Sequence, residues 1–483
     1  MKRATSPLAR LGWPWIVLFL LWLAFVLAGY YVVQNAFLQP TLERIRLMAW
    51  LPAGVSAAAL GRAALDLLAA GLIALAGLNL GGWLLDRLRP AGLEPAERLI
   101  FGQALGLGLL GLAVLGLGLV GLLERGILLA LVLVPAGLGL RANLARLRPL
   151  AAARPPRLLL LYGLPAGVLA LALALLPPTA WDGLFYHLTG PKLYLELGAI
   201  QPAADIPHLN FPFLQEMLFL LAMSIHSDRA AVLLHFLYAP LLVGLVVLFA
   251  RRHFGLRNGW LAAVFLLSMP MLLSLAAWAY NDLALAFFEV GALYALLRQR
   301  QATQGAPAGA PAAGRADLIL AGLLAGFGLG LKYTAVVAVV PLGLLLLRWG
   351  RRRPRLALGR LALFGLTAGL LLTPWLLKNW AFTSNPVYPF VFGGQNWDTF
   401  RAAAYAEAGT GIAYNPAGCR QGPPEHLHGQ HPTGCAFDAA YLARRLLTLP
   451  YGLTLGIHDT SRDGDPGPLF LVFLPLALLY GLG

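Results

Sequence analysis

The chain has 483 residues, of which 59% are hydrophobic and only 12% charged, with a mean hydropathy of +0.72. That balance excludes an ordinary soluble domain, and apolar runs recurring along the whole length read as spans across a hydrocarbon core about 30 Å thick. The formal net charge of +15 sits in short basic clusters between those runs, where it orients helices and meets anionic membrane lipids, so nucleic acid is not an expected partner.

MKRATSPLAR leads into an apolar stretch over residues 11–33. It is too long for a signal peptide and lacks a small-residue cleavage site, so it reads as an uncleaved first span. Basic clusters then mark cytoplasmic ends: Arg87 and Arg89; Arg141, Arg146, Arg148, Arg154 and Arg157; Arg251 and Arg252; Arg298 and Arg300; Arg348 and the arginines of 351–355. An even number of crossings must separate successive clusters. The runs that satisfy this are 11–33, 64–85, 99–122, 126–140, 158–177, 229–250, 259–279, 283–297, 317–331, 334–347, 357–377 and 468–483. Continuous runs exclude the short alternating segments of a β-barrel. The expected fold is therefore all-α, a polytopic transmembrane helix bundle of about 12 spans with a cytoplasmic N-terminus in an inner (cytoplasmic) membrane.

In chain order this predicts N-terminal transmembrane helices over 1–157, a core over 158–379 with a large outer loop at 178–228, an extracytoplasmic loop over 380–467, and a final span at 468–483. That last run stops at Gly483 without a flanking charge and reads as an incomplete span. Leu214–Ile225 is apolar but too short to cross, and reads as a helix lying in or half entering the outer interface. Residues 299–317 form an Ala/Gly/Pro linker, and no internal repeat is evident.

The polar residues gather on the outer side. WDGLFYHLTGPKLYLELGAI, residues 181–200, places Asp182, Tyr186, His187 and Lys192 in the first large outer loop. Tyr280, Asn281 and Asp282 form the turn of AWAYNDLALAFF, Lys332 and Tyr333 the turn of GLKYTAV, and Lys378 and Asn379 the outer end of TPWLLKNW. Three of the four lysines thus stand where the membrane charge rule disfavours lysine. Each residue has a plainer role as well: Trp181 and Tyr186 as interface anchors, Asp182 or Asp282 as helix N-caps, a lysine snorkelling to head groups. Two carboxylates and three ammonium groups at one depth also suit a phosphate-bearing lipid and a hydroxyl to be deprotonated. Glu289, seven residues beyond Asp282, shares nearly its face about 10.5 Å deeper, as a tunnel lining or as a hydrogen-bonding partner for a neighbouring helix.

WDGLFYHLTGPKLYLELGAIQP, followed by FPFLQEMLFLLA, AYNDLALAFF, GLGLKYTAV and TPWLLKNWAFTSNPVYPF, resembles the multi-spanning GT-C glycosyltransferases over roughly residues 160–480. These polyprenol-phosphate-dependent enzymes include the protein O-mannosyltransferases and the aminoarabinose transferases of lipid A. The resemblance implies a membrane glycosyltransferase that moves a hexosyl or pentosyl group from a polyprenyl-phosphate sugar donor to a lipid, glycan or protein acceptor. The reaction takes place on the extracytoplasmic face and inverts the anomeric carbon. It implies a catalytic aspartate at Asp182, as base or acceptor-orienting group, and a second acidic position at Asp282, with Lys192, Lys332 and Lys378 as candidates for the donor phosphate. Tyr186, His187, Glu216, Tyr280, Asn281, Tyr333 and Asn379 are then candidate substrate contacts. Two departures stand out: four expected spans precede the motif-bearing region, and a Tyr186–His187 pair sits where many relatives carry other residues.

Within the C-terminal loop, Cys419 and Cys435 face an oxidising compartment under this topology and are expected to form a disulfide. His426, His428 and His431 lie between them, and a zinc site stays open although the spacing fits no standard pattern. No cofactor is clearly implied, and a divalent metal stays open too. The rival classes are a transporter or lipid flippase, and an O-antigen polymerase or ligase. A polar cluster confined to one surface favours chemistry over passage, and an outer set of Asp and Lys rather than Arg disfavours the polymerase.

Overall fold

The computed structural model describes residues 13–50, 56–152, 156–203, 206–304, 314–394, 420–421, 432–433, 438–455 and 466–482. Its helices, in chain order, are α1 (Trp13–Trp50), α2 (Ala57–Leu88), α3 (Pro95–Leu119), α4 (Arg125–Leu138), α5 (Leu140–Ala152), α6 (Arg157–Ala174), α7 (Thr189–Leu197), α8 (Leu214–Ile225), α9 (Asp228–Phe254), α10 (Leu256–Leu267), α11 (Pro270–Ala276), α12 (Asp282–Gln304), α13 (Arg315–Leu331), α14 (Val336–Trp349), α15 (Pro354–Thr383), α16 (Ala439–Thr454) and α17 (Pro468–Leu482). Arg420–Gln421 and Pro432–Thr433 add a short antiparallel pair. The fold is that of an all-α polytopic membrane protein.

Among the described residues, five helices are long and apolar enough to cross a membrane: Trp13–Val32 within α1, then α2, α3, α9 and α15. Two bent pairs add to them, α4 with α5 at 60° and α10 with α11 at 73°. Pro270 opens α11, and a proline cannot donate the hydrogen bond that would carry the preceding helix onward. The other expected spans are shorter apolar helices or, like α12, carry charges along their length.

The described residues fall into two units. One draws on Met1–Val55, Ser268–Met271 and Trp397–Gly483, the other on Ser56–Leu267 and Leu272–Asn396. In the first, Val26 of α1 buries itself against Leu471 and Val472 of α17, and the Trp22 indole donates to the Leu471 carbonyl at 3.1 Å.

The second unit holds the candidate site. Ser56 caps α2 by accepting the Ala59 N–H at 3.1 Å, and Glu97 folds back to accept the Glu94 N–H at 2.8 Å at the start of α3. These two helices meet backbone to backbone. A Cβ at Gly81 would stand 1.8 Å from the Gly102 carbonyl oxygen, and one at Gly106 would stand 1.6 Å from that of Gly77. Only glycine permits this approach, the small-residue seam by which helices pack without a hydrophobic driving force between them.

α8, expected to lie in or half enter the outer interface, is enclosed by neighbouring helices, which disfavours the first alternative. Its residues Leu214, Gln215, Glu216, Met217, Leu218, Phe219, Leu220, Leu221 and Ala222 are all buried, and it packs against α3, α4, α9 and α13. An interfacial helix keeps one face in water, and this one has none over that stretch.

At the opposite end of α12 from Asp282, about 24 Å away by helix rise, Arg298 is buried in an ionic network. Its guanidinium reaches Glu97 Oε2 at 3.0 Å, Asp317 Oδ1 at 2.9 Å and the Ala91 carbonyl at 2.6 Å. Arg252 joins Glu97 at 3.1 Å, and the Tyr294 hydroxyl donates to the same carboxylate. The network ties α3, α9, α12 and α13 together.

Candidate active site

The 181–188 segment forms a single π-helical turn, Gly183–His187, closed by the Leu188 N–H donating to the Gly183 carbonyl at 2.9 Å. Such turns change which side chains face inward and recur at functional sites. Here His187 turns inward to 1% exposure, while Trp181 stays outside at 79% and lies against Phe185. Asp182 occupies the residue before the turn, but its side chain makes no capping hydrogen bond and it is half-buried. The plain capping role therefore does not account for this carboxylate.

Glu216 of α8 is the hub beneath it. His187 Nδ1 stands 2.5 Å from Glu216 Oε1, and Asn281 Nδ2 donates to the same oxygen at 3.2 Å. Both His187 and Glu216 are buried, and the imidazole Nδ1–H donates to the carboxylate. Glu216 Oε2 and Asn281 Oδ1 are buried without a hydrogen-bond partner among the described residues. Unsatisfied acceptors at such a depth are costly and point to an arrangement made for more than packing.

Around this hub the aromatic side chains stack. The Tyr186 ring lies parallel to His208, 4.3 Å away and tilted by 8°, and the Tyr280 ring is 5.4 Å from His187. Burial, then the charges of Asp182, Glu216 and Asp282, push the Tyr186 phenol above its ordinary range. Three carboxylates from distant parts of the chain thus act on one phenol. Burial, then the neighbouring His187 and Lys332 side chains, push the His208 imidazole down to about 4.

Asp282 opens α12. Burial raises its carboxyl, but Lys332, at 3.2 Å, together with His235 and His187 overrides that and holds it below the ordinary range. His235 of α9 fixes the geometry: its Nδ1 lies 2.8 Å from the Trp278 carbonyl and its Nε2 accepts the Leu283 N–H at 3.2 Å. One imidazole therefore caps the helix that carries Asp282. Tyr333 follows Lys332, and its hydroxyl accepts from Asn379 Nδ2 at 2.7 Å, joining the 332–333 turn to α15.

The structure brings together Asp182, Tyr186, His187, Glu216, Tyr280, Asn281, Asp282 and Lys332. Tyr333 and Asn379 form an adjoining pair. Lys378 stands differently: it is 4% exposed, and its ammonium donates to the carbonyls of Leu209 at 3.1 Å and Phe211 at 3.0 Å, fastening the 207–211 segment to α15. Lys192 lies exposed on α7, and its ammonium makes no hydrogen bond or ion pair among the described residues. Cys419, Cys435, His426, His428 and His431 lie outside the described residues, so the expected disulfide and zinc alternative do too. Among the described residues no three His, Cys, Asp or Glu side chains gather to hold a metal ion. His208 and His235 were not picked out from the sequence; the available signal was a histidine in the aromatic PHLNFPF and another in an otherwise apolar span.

The chain is a polytopic membrane protein, and part of it is similar to a GT-C type glycosyltransferase domain. Residues 207–377 match the family described as dolichyl-phosphate-mannose-protein mannosyltransferase, whose members use a lipid-linked sugar donor. The matched segment holds Glu216, Tyr280, Asn281, Asp282, Lys332 and Tyr333; it begins after Asp182 and Lys192 and ends just before Lys378 and Asn379. The resemblance read over 160–480 is thus matched over a narrower stretch. No curated protein and no solved structure matches the chain.

Proposed function

We propose that the protein transfers a sugar from a polyprenyl-phosphate-linked donor to an acceptor hydroxyl on the extracytoplasmic face of the inner membrane. In this reading the N-terminus is cytoplasmic, the catalytic core spans 158–379, and loops 178–228 and 380–467 lie outside. The observation that carries it is the buried cluster in which His187 and Asn281 both bond Glu216, with the Tyr186 ring against His187 and the Asp282–Lys332 pair next to Asn281 in the chain.

Asp182, uncommitted to any cap, accepts the proton of the acceptor hydroxyl. The acceptor oxygen attacks C1 of the sugar while the C1–O bond to phosphate breaks, and the bonding pair leaves with the polyprenyl phosphate. A single displacement of this kind inverts the anomeric carbon. Negative charge grows on the leaving phosphate, and Lys332, partly exposed and oriented by Asp282, stabilises it. Lys192 is a second candidate for that charge, whereas Lys378 acts on the backbone of the 207–211 segment. Glu216 and Asn281 hold His187 in place beside the reacting groups.

The test is Asp182→Asn in membranes supplied with a labelled polyprenyl-phosphate sugar. A positioned base contributes about 10²- to 10⁴-fold, so transfer should fall by that much at normal expression. Undiminished transfer refutes Asp182 as base. Movement of the lipid-linked sugar across the membrane without any glycosylated product, by the unaltered protein, supports the transporter reading instead.

A further inference from the structure

A second polar site lies at the other end of the bundle. Asp86 is 20 residues beyond Asp66 on α2, about 30 Å along the helix axis. Asp66 accepts from Ser227, at the start of α9, whose next two turns carry His235 and so lead to Asp282. The Asp86 end of α2 therefore belongs with Glu97 and Arg298 and not with the candidate active site.

At that end α5 folds back from α4 and returns Arg146 to α2. The guanidinium lies over Gly82, where a Cβ would stand 2.4 Å from its central carbon. It donates to Asn79 Oδ1 at 3.3 Å and to Asp86 Oδ2 at 3.4 Å, and Asn79 is itself held by donating to the Pro135 carbonyl at 2.9 Å. Beside it Arg87 sits 4.3 Å over the Trp83 ring. Arg89 ends the helix in the left-handed conformation, φ 52°, its N–H donating to Leu85. These groups line a cavity of about 770 Å³.

Three arginines face this cavity against one carboxylate, and that carboxylate already pairs with Arg98 at 2.6 Å. The cavity lining thus carries a net positive charge and guanidinium donors of the kind that take phosphate oxygens, Arg146 among them held in place by Asn79 and Asp86. Its other wall is apolar and outward-facing: Trp83, Val134 and Leu138 are 53%, 54% and 84% exposed. A soluble anion has no use for that wall, whereas the chain of a lipid does. Basic pockets between helices at a membrane surface suit anionic lipid head groups.

We propose that this cavity binds the phosphate head group of an anionic lipid from the leaflet opposite the candidate active site, with the acyl chain laid along Trp83, Val134 and Leu138. The site is separate from the transfer chemistry and does not rest on it.

Native mass spectrometry of the full chain in detergent tests this, with phosphatidylglycerol, phosphatidylcholine of the same chains, and inorganic phosphate as probes. Phosphatidylglycerol is expected to bind in preference to phosphatidylcholine and to resist displacement by inorganic phosphate. Arg87→Gln with Arg89→Asn, asparagine being tolerant of the left-handed conformation, should weaken it about thirtyfold, roughly fivefold for each charge. The exposed Arg87→Gln alone should weaken it about fivefold and serves if the double variant does not accumulate. Arg351→Gln with Arg352→Gln removes the same charge from an exposed turn beyond α14, whose Trp349 packs under Arg300 at the same end of the bundle, and should change binding less than twofold. Equal losses in the two double variants, or equal binding of the two lipids, overturns the proposal. Displacement by equimolar inorganic phosphate overturns it in favour of a site for soluble phosphate.

Discussion

Replacing Arg298 with methionine probes the energetics of the inner network. The side chain is 2% exposed, and its two ion pairs, at 3.0 Å to Glu97 and 2.9 Å to Asp317, are equally dry. At an effective dielectric of about 20, each contributes an attraction of roughly 5 kcal/mol. Withdrawing each ion from water costs several kcal/mol, so the intact network is close to balance. Removing the arginine alone upsets that balance. Glu97 keeps Arg252 and Tyr294, but Asp317 loses its hydrogen-bonded cation and stays buried. Arg298→Met should therefore destabilise by about 3–5 kcal/mol. Adding Asp317→Leu removes the stranded charge and should restore about 2–3 kcal/mol of that loss, a coupling within the range for directly paired residues. Unfolding of the purified protein by titrated dodecyl sulfate, followed by circular dichroism, measures both. A single variant within about 1 kcal/mol of the parent, or a double variant no more stable than the single, refutes the reasoning.

Lys332→Met should raise the Asp282 carboxyl, because the ammonium that offsets its burial is gone. Activity needing ionised Asp282 then loses its acid limb at a higher pH, while Lys332→Arg leaves the limb in place; a pH profile of kcat/KM that does not move breaks the link. His208, half-buried and neutral with a pKa of about 4 against an ordinary 6.5, stabilises the fold above pH 6.5 and progressively less as pH falls toward 4. His208→Phe, which keeps an aromatic ring on Tyr186, should flatten the melting midpoint across that window. Gly106→Ala should cost about 2 kcal/mol or more through its clash with the Gly77 carbonyl, while Gly116→Ala on the same helix, with open space around its Cβ, should be neutral or stabilising in the same melting assay.

The helices were legible because apolar runs and basic flanks are local signals, and the 280–282 and 332–333 turns fell at helix ends where the charge pattern had placed them. Burial of α8 was not legible: a short apolar helix reads the same whether it lies on a surface or inside a bundle, and only the packing of α3, α4, α9 and α13 decides. Arg298 looked like a flanking charge at a membrane surface, yet its partner Glu97 is 201 residues away. His235 and its cap on Leu283 are 48 apart in sequence, so no motif joins them. Lys378 had the right depth for a donor phosphate, but side-chain direction, which sequence does not carry, turns it onto carbonyls of the 207–211 segment.

The enclosure of α8 also orders biogenesis. Its receptacle is built partly from α3 and α4, made earlier, and partly from α9 and α13, made later, while Glu216 meets Asn281 only after 65 further residues have been added. The segment cannot settle as it emerges. Its full set of neighbours exists only once synthesis has passed Leu331, and a nascent chain halted before that point leaves this short apolar helix without part of its packing.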